Sequence, residues 1–419
     1  MSDKRWVANA TAIADLWTVS LSGTVSSKNY TMTINGKSIV YSAGSGDTVN
    51  TILTGLVTLW NSLAPAAPAE FQELTPAALP VGGPFTSMTL TGKTLGKPST
   101  IGVSTSGAAT FTIANTTPAT GPNDFANGAN WSGGVAPANG DTLVFDAGTV
   151  NCKYGLNTSL TGITVVVLTG FTAQIGLPLT NNDSPQNSYN EYRPTALTLA
   201  GGTAQINGPS MTRCNLAFGA NLANVQITAT GNRPDRYTPT VLITGGNGSS
   251  ILAITKGDVG VAFYLGQTAN FPTILTSYQN SATSDVVLFL GAGCTLGSIT
   301  KNGGALTVNS NVTTLLQGTG GGTVTVASGA VTTMTVEAGT AIWNSVGTLG
   351  TVTVSGKGTL DFGQDPNGKT ITNPIQIYGD SSSVMDPAKV VNAGILSVTT
   401  YQTTALNVSH GSGNVCSFT

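Results

Sequence analysis

Two short motifs with alternating apolar positions take turns along the C-terminal part of the chain. The first is GALTVNS at Gly304, GTVTVAS at Gly322, GTAIWNS at Gly339 and GTLDFGQ at Gly358, with starts that step by 18, 17 and 19 residues. The second is TLGSIT from Thr295, VTTLLQ from Val312, VTTMTV from Val331 and LGTVTV from Leu349, stepping by 17, 19 and 18. Two interleaved series that share one period predict two short strands per repeat, each stacked on its counterpart in the next. Leu306 and Val308, Val324 and Val326, and Leu360 and Phe362 alternate as strands with one buried face do, whereas Ile342 and Trp343 depart from the pattern. A repeat this short cannot bury its apolar face alone. The expected fold is therefore mainly β, a parallel β-helix or solenoid with coils of about 18 residues near the C-terminus, because stacking needs that periodicity. An antiparallel sandwich would also show regular turn signals, but does not require two alternating motif classes to keep register. Gly at each strand start serves a corner where coils pass closely.

The texture changes toward the N-terminus. YTMTINGKSIVYSA alternates around Asn35-Gly36, a strong hairpin signal. SGDTVNTILTGLVTLWNSL places Asp47 as a helix N-cap before Val49, Ile52, Leu53, Leu56, Leu59 and Trp60 at helical spacing, ending before Pro65. MTLTGKTLGKPSTIGVST and ATFTIANT read as another hairpin with a following strand. The organisation expected is an N-terminal arm at 1–14, a small α+β docking module at 15–120, the solenoid at 121–406 and a tail or cap at 407–419. The insertion from Leu179 to Pro194 should be a lateral loop.

Composition supports many short strands and few helices. Only 8% of the residues are charged, against roughly 25% in an ordinary domain. Gly, Asn and Ser supply turns while Thr and Val favour pleated strands. The 40% hydrophobic fraction argues against a disordered chain. Net charge is −2 and no Lys/Arg run occurs, which argues against a nucleic-acid partner. Asp15 interrupts the opening apolar stretch, so no secretion signal is read there, and no run approaches the roughly 20 apolar residues of a membrane span. Cys152, Cys214, Cys294 and Cys416 lie far apart with His410 as the sole imidazole, which reads as buried free thiols from a reducing cytoplasm, with no metal or cofactor implied.

No catalytic motif stands out. Glycoside hydrolysis needs two carboxylates roughly 5–10 Å apart across a groove, and most of the 18 acidic residues sit singly in loops. The best local clusters are NEYRP, with Tyr189, Glu191, Tyr192 and Arg193, and NRPDRY, with Arg233, Asp235, Arg236 and Tyr237. Read functionally they form a glycan or subunit contact with tyrosines as stacking platforms. Read structurally they are ion pairs that fix lateral insertions. Asp361 and Asp365 read as corner hydrogen-bonders, and His410 as solvated.

The stretch tINGksivYsAGsGDTVntIltGLvtlWN, followed by mtLTGKTlGKPsTigVsts, resembles a small module that recurs in bacteriophage virion and tail proteins. ANGANWSGGVAPANGDTLVFD, from Ala126 to Asp146, resembles the opening coil of β-helical surface proteins, autotransporter passengers among them. Together these resemblances imply a phage structural protein, made in the host cytoplasm and exposed on the virion surface. The expected role is head decoration or cement. The expected partners are a major capsid or other virion protein bound through the N-terminal module, and two further copies in a homotrimer, since closed symmetry is the usual oligomer solution. The alternatives are a tail fibre or tail-spike that binds host glycan and, behind it, a polysaccharide-degrading enzyme.

Overall fold

The computed structural model describes residues 2–62, 68–80, 84–182, 188–277, 286–401, 408–411 and 416–418. The chain is mainly β, and its described residues include one α-helix of 14 residues, Val49–Ser62. Its dominant feature is a long parallel sheet in which most strands pair with the next but one in sequence, so that two ladders interleave. One ladder runs from Ala223–Thr230 through Ile251–Ile254, Ala269–Thr276 and Cys294–Lys301 to Val312–Gln317. The other runs from Arg213–Ala217 through Val241–Thr244, Asp258–Val261, Val287–Leu290 and Ala305–Val308 to Thr323–Val326. Two longer strands, Val331–Trp343 and Thr348–Asp361, carry both ladders onward. This arrangement is the one expected of stacked repeats with two strands each.

The register explains why the sequence repeats. Val259, Leu288, Leu306, Val324, Ala341 and Leu360 are successive partners in one ladder, and all are buried. Two residues along each strand, Val261, Leu290, Val308, Val326 and Trp343 form a second buried column. The departure noted at Ile342 and Trp343 is therefore only apparent. Ala341 and Trp343 point inward while Ile342 faces outward, and the small alanine sits in the same strand as the large indole, which conserves volume within that repeat. In the other series the motif starts step by 17 at its first interval, but Ile299 pairs with Leu315, 16 residues on. A slip of one residue would have turned every side chain of the strand to the opposite face, so burial selects the shorter step.

The corner glycines stack as well. Gly304, Gly322 and Gly339 adopt φ of +68°, +82° and +74°, and a Cβ on Gly322 or Gly339 would lie 2.1 or 2.3 Å from the carbonyl oxygen of the preceding glycine. Side chains close the same corner from within. Lys301 Nζ donates to Gly321 O at 2.6 Å, and Gln317 Nε2 donates to Gly322 O and Ala338 O.

The first and last residues join this sheet. Asp3–Arg5, expected as part of an arm, pairs parallel with Thr142–Gly148, and Trp6 packs edge-on against Trp131 at 5.1 Å. Val408–His410 pairs with Ser383–Asp386, and Cys416–Phe418 with Leu396–Thr400. His410 is consequently not solvated: its Nδ1 lies 3.3 Å from Asp386 in a nearly buried pair.

Residues 16–117 form two antiparallel sheets around a separate core. The four-stranded one has the order Leu74–Leu79, Ser87–Gly92, Leu16–Ser22, Thr110–Thr117, and the three-stranded one Lys37–Ser42, Asn29–Ile34, Gly102–Thr105. The Asn35-Gly36 hairpin is present, with φ of 52° and 72° at its two turn residues. The expected hairpin within MTLTGKTLGKPSTIGVST is not: its two strands belong to different sheets, because each finds a longer-range partner. The helix cap is Thr48, whose Oγ1 accepts from Thr51 N, while Asp47 instead accepts from Gly44 N and Tyr41 OH. Ile52, Leu53, Leu56 and Trp60 are the buried face of this helix.

Truncating an inward residue should cost far more than truncating an outward neighbour. Leu360→Ala is expected to destabilise the chain by about 2–5 kcal/mol and Trp343→Ala by about 3–5 kcal/mol, whereas Ile342→Thr should change stability by less than about 1 kcal/mol. Urea unfolding followed by circular dichroism measures the difference, and equal losses at Ile342 and Leu360 would contradict the register.

Candidate functional site

The two candidate clusters meet different fates. The lateral insertion returns as a short antiparallel ribbon, Thr180–Asn181 against Tyr189–Asn190, which delivers Tyr189, Glu191, Tyr192 and Arg193 to the surface of the α+β segment. There Arg193 pairs with Glu73 and, at 2.8 Å, with Glu191, while Lys97 reaches Glu73 Oε1 at 2.7 Å. Tyr189 OH and Tyr192 OH both donate to Glu73, and the Arg193 guanidinium lies 4.3 Å from the centre of the Tyr192 ring. Asn35, in the hairpin turn, donates to Glu70 Oε1 and to Asn190 O. These four residues are thus an intramolecular latch. Tyr189 is 4% and Arg193 7% exposed, so neither offers a platform to a glycan.

Electrostatics keep the latch charged. Burial works to raise the Glu73 pKa, but Arg193 and Lys97, with hydrogen bonds from Lys97 and Tyr189, outweigh it and hold the carboxyl below its usual range. Burial, reinforced by the neighbouring Glu73 carboxylate, pushes the Tyr189 phenol up and keeps it a donor. Arg193 is held protonated by Tyr192, Glu73 and Glu191 despite its burial.

The second cluster does not join the first. Arg233 pairs with Asp258 on the adjacent strand, and Asp235 accepts from the amides of Tyr237 and Thr238, closing its own loop. Arg236 lies 5.5 Å from the centre of the Tyr237 ring, and Tyr237 is 72% exposed. Asp361 accepts from Gly363 N and Gln364 Nε2, and Asp365 pairs with Lys369, as corner residues should.

A carboxylate that sequence reading passed over anchors the other side of the α+β segment. Asp15 is fully buried and accepts from Trp17 Nε1, Ser99 N, Ser99 Oγ, Asn115 Nδ2 and Ala119 N. It sits where the chain enters and leaves the segment side by side, at the Ile13–Thr120 bridge. Five donors replace its lost hydration without a cation. Its only visible signal was a charge interrupting an apolar stretch.

Between the lateral loop and the 234–238 loop lies a cleft of about 520 Å³. Its floor is the outward face of Arg213–Ala217, where Arg213 and Asn215 alternate with inward Cys214 and Leu216. All four are buried, because loops rise on both sides of the strand. Asn215 Nδ2 donates to Leu177 O and Thr195 O, tying together the two roots of the lateral loop. The signal that could have found this cleft is the charge in TRCNLAFG, at a strand position flanked by residues that pack.

Cys152, Cys214 and Cys294 are buried free thiols. Burial pushes the Cys214 and Cys294 pKa values up to about 12. The side chain of Cys416 lies outside the described residues. Among the described residues, no group of three or more His, Cys, Asp or Glu is placed to hold a metal ion, and no helix is long and apolar enough to cross a membrane. No protein-family model matches the chain, and no curated protein is found similar to it.

Two outcomes follow from this geometry. Arg193→Ala leaves Glu73 with Lys97 as its remaining cation and Glu191 with its ion pair removed, and should cost about 3–5 kcal/mol. Because the folded-state pKa of Glu73 is depressed, its contribution is complete above the unfolded value near 4.5 and is lost as pH falls through the folded value. Glu73→Gln should therefore flatten the fall in melting temperature below pH 4.5, and an unchanged acid limb would refute the latch. In a second measurement, iodoacetamide at neutral pH followed by peptide mass spectrometry should leave Cys152, Cys214 and Cys294 unmodified until denaturant is added, since thiol and not thiolate is present.

Proposed function

We propose that the parallel ladders close into a β-solenoid and that the chain is a structural protein of a bacteriophage virion, decorating the head. The observation that carries this reading is the buried latch, which fixes the α+β segment against the side of the parallel sheet. The segment is held to the lateral loop through Glu73, which meets Arg193, Tyr189 and Tyr192, and through Asn35 Nδ2, which donates to Asn190 O, while Asp15 ties its own entry and exit strands together. Such rigidity suits a docking base under a projecting rod, and the resemblance of that segment to phage virion modules points the same way. The 16 Lys and Arg residues in 419 give a displayed surface few sites for basic-residue proteases.

In this reading the α+β segment contacts the major capsid protein or another virion protein, and three copies form the unit on the particle surface after assembly in the host cytoplasm. A tail fibre or tail-spike adhesin is the second reading, and the polar cleft above Arg213 favours it.

Gold-labelled antibody against residues 121–406, imaged on particles from a lysate, tests the proposal. Label over heads is the expected result, label at the tail tip would transfer the protein to the second reading, and unlabelled particles would overturn both. Sedimentation equilibrium should give three times the 42.3 kDa chain mass, and a monomer at micromolar concentration would remove the trimer.

A further inference from the structure

The geometry points to a binding site for a carboxylate-bearing saccharide in the cleft between the lateral loop and the 234–238 loop, with Arg213 as the carboxylate anchor. This inference does not depend on where the protein sits on a particle.

Arg213 is 9% exposed and lines the cleft, yet its guanidinium has a single neutral acceptor, Gln174 Oε1, at 3.0 Å. A guanidinium carries five donors in a planar fork that matches a carboxylate. No carboxylate among the described residues lies within ion-pair distance of it. Asp235, the acid on the opposite wall, spends its Oδ1 on the amides of Tyr237 and Thr238. Burial accordingly lowers the Arg213 pKa, with Tyr264 and Asp235 offsetting only part of the loss. A buried cation with unused donors is costly to a folded protein unless a ligand completes it. A second cleft residue is also incomplete: Asn215, 6% exposed, uses its amide nitrogen on the loop roots and leaves Oδ1 without a donor.

The remaining wall suits sugar hydroxyls better than an apolar acid. Asn182, Thr195 and Gln267 supply amide and hydroxyl groups, the half-exposed Tyr264 supplies a ring, and Lys153 adds a second cation at the edge. The volume of about 520 Å³ falls within the roughly 300–1,000 Å³ typical of ligand clefts. One pyranose carboxylate on Arg213 would leave the ring hydroxyls facing these amides. Tyr189 and Tyr192 are consumed by the latch, but the loop that carries them forms one wall of this cleft.

Titration calorimetry of the full chain at pH 7 with D-glucuronate, D-glucose, acetate and inorganic phosphate tests the assignment. D-glucuronate is expected to bind at least tenfold more tightly than each of the other three, and Arg213→Gln should weaken it tenfold or more while Arg213→Lys retains part. Equal binding of D-glucose would overturn the anchor. Equal binding of acetate or phosphate would reduce the cleft to a plain anion site and overturn the saccharide. Absence of D-glucuronate binding to the native chain would overturn the whole assignment. Should Arg213→Gln fail to fold, Gln267→Trp places a bulky ring on the wall without touching the floor. Loss of binding there upholds the site, and retained binding overturns it.

Discussion

Everything in this chain depends on the unbroken columns of inward apolar side chains that run along the parallel sheet. No repeat of about 18 residues can hide its own apolar face, so each is stable only as far as its neighbours complete it. That constraint fixes register, because Leu306 must meet Val324 and Val324 must meet Ala341 for burial to continue. It also fixes the corners, where a side chain on Gly322 would strike the carbonyl of Gly304. The ends of such a stack expose a column with no partner. At one end the chain supplies Asp3–Arg5 and Trp6 over Trp131 and Phe145, an aromatic plug drawn from the first residues of the sequence.

With so few charges, most buried ionic groups are used to join parts that apolar packing leaves separate. Asp15 binds the entry and exit strands of the α+β segment, Glu70 ties a hairpin turn to the residues after the helix, and Glu73 receives two cations and two phenols from two regions of the chain. Lys301 and Gln317 perform the same task on a smaller scale at one corner. Asp15, Glu70 and Glu73 each have two or more partners, which is the condition under which a buried charged group is tolerable. Arg213 departs from that rule, and its departure is what marks the cleft.

The parallel ladders were legible because stacking imposes a period on the sequence, and the buried free thiols because isolated cysteines at strand positions have few other uses. The α+β segment was legible only locally. Asn35-Gly36 determines its own hairpin through backbone preference, but nothing near Ser87–Gly92 reveals that its partners are Leu16–Ser22 and Leu74–Leu79. Pro76 hides the last of these, since proline is admitted to an edge strand whose amide needs no partner. The latch was half legible. Arg193 and Glu191 stood out as a cluster, whereas Glu73 and Lys97 gave no sign, because partners that distant along the chain, 24 residues for Lys97 and 120 for Arg193, leave no sequence signature.

The lateral loop has two duties that the structure couples. Its ribbon carries Tyr189 and Arg193 into the latch, while its roots at Leu177 and Thr195 are held by Asn215 on the floor of the cleft. The loop is thus pinned at both ends, and the wall it offers to the cleft is positioned by the charge on Glu73 as well as by the sheet beneath. Protonating Glu73 removes the Coulombic attraction of Arg193 and Lys97 and weakens the hold on the ribbon end of the loop, where the Asn35–Asn190 bond remains, but leaves the roots bound through uncharged amides. The strands paired directly with Arg213–Ala217 contain no carboxylate, so protonation of Glu73 acts on the wall of the cleft and not on the strands that hold its floor.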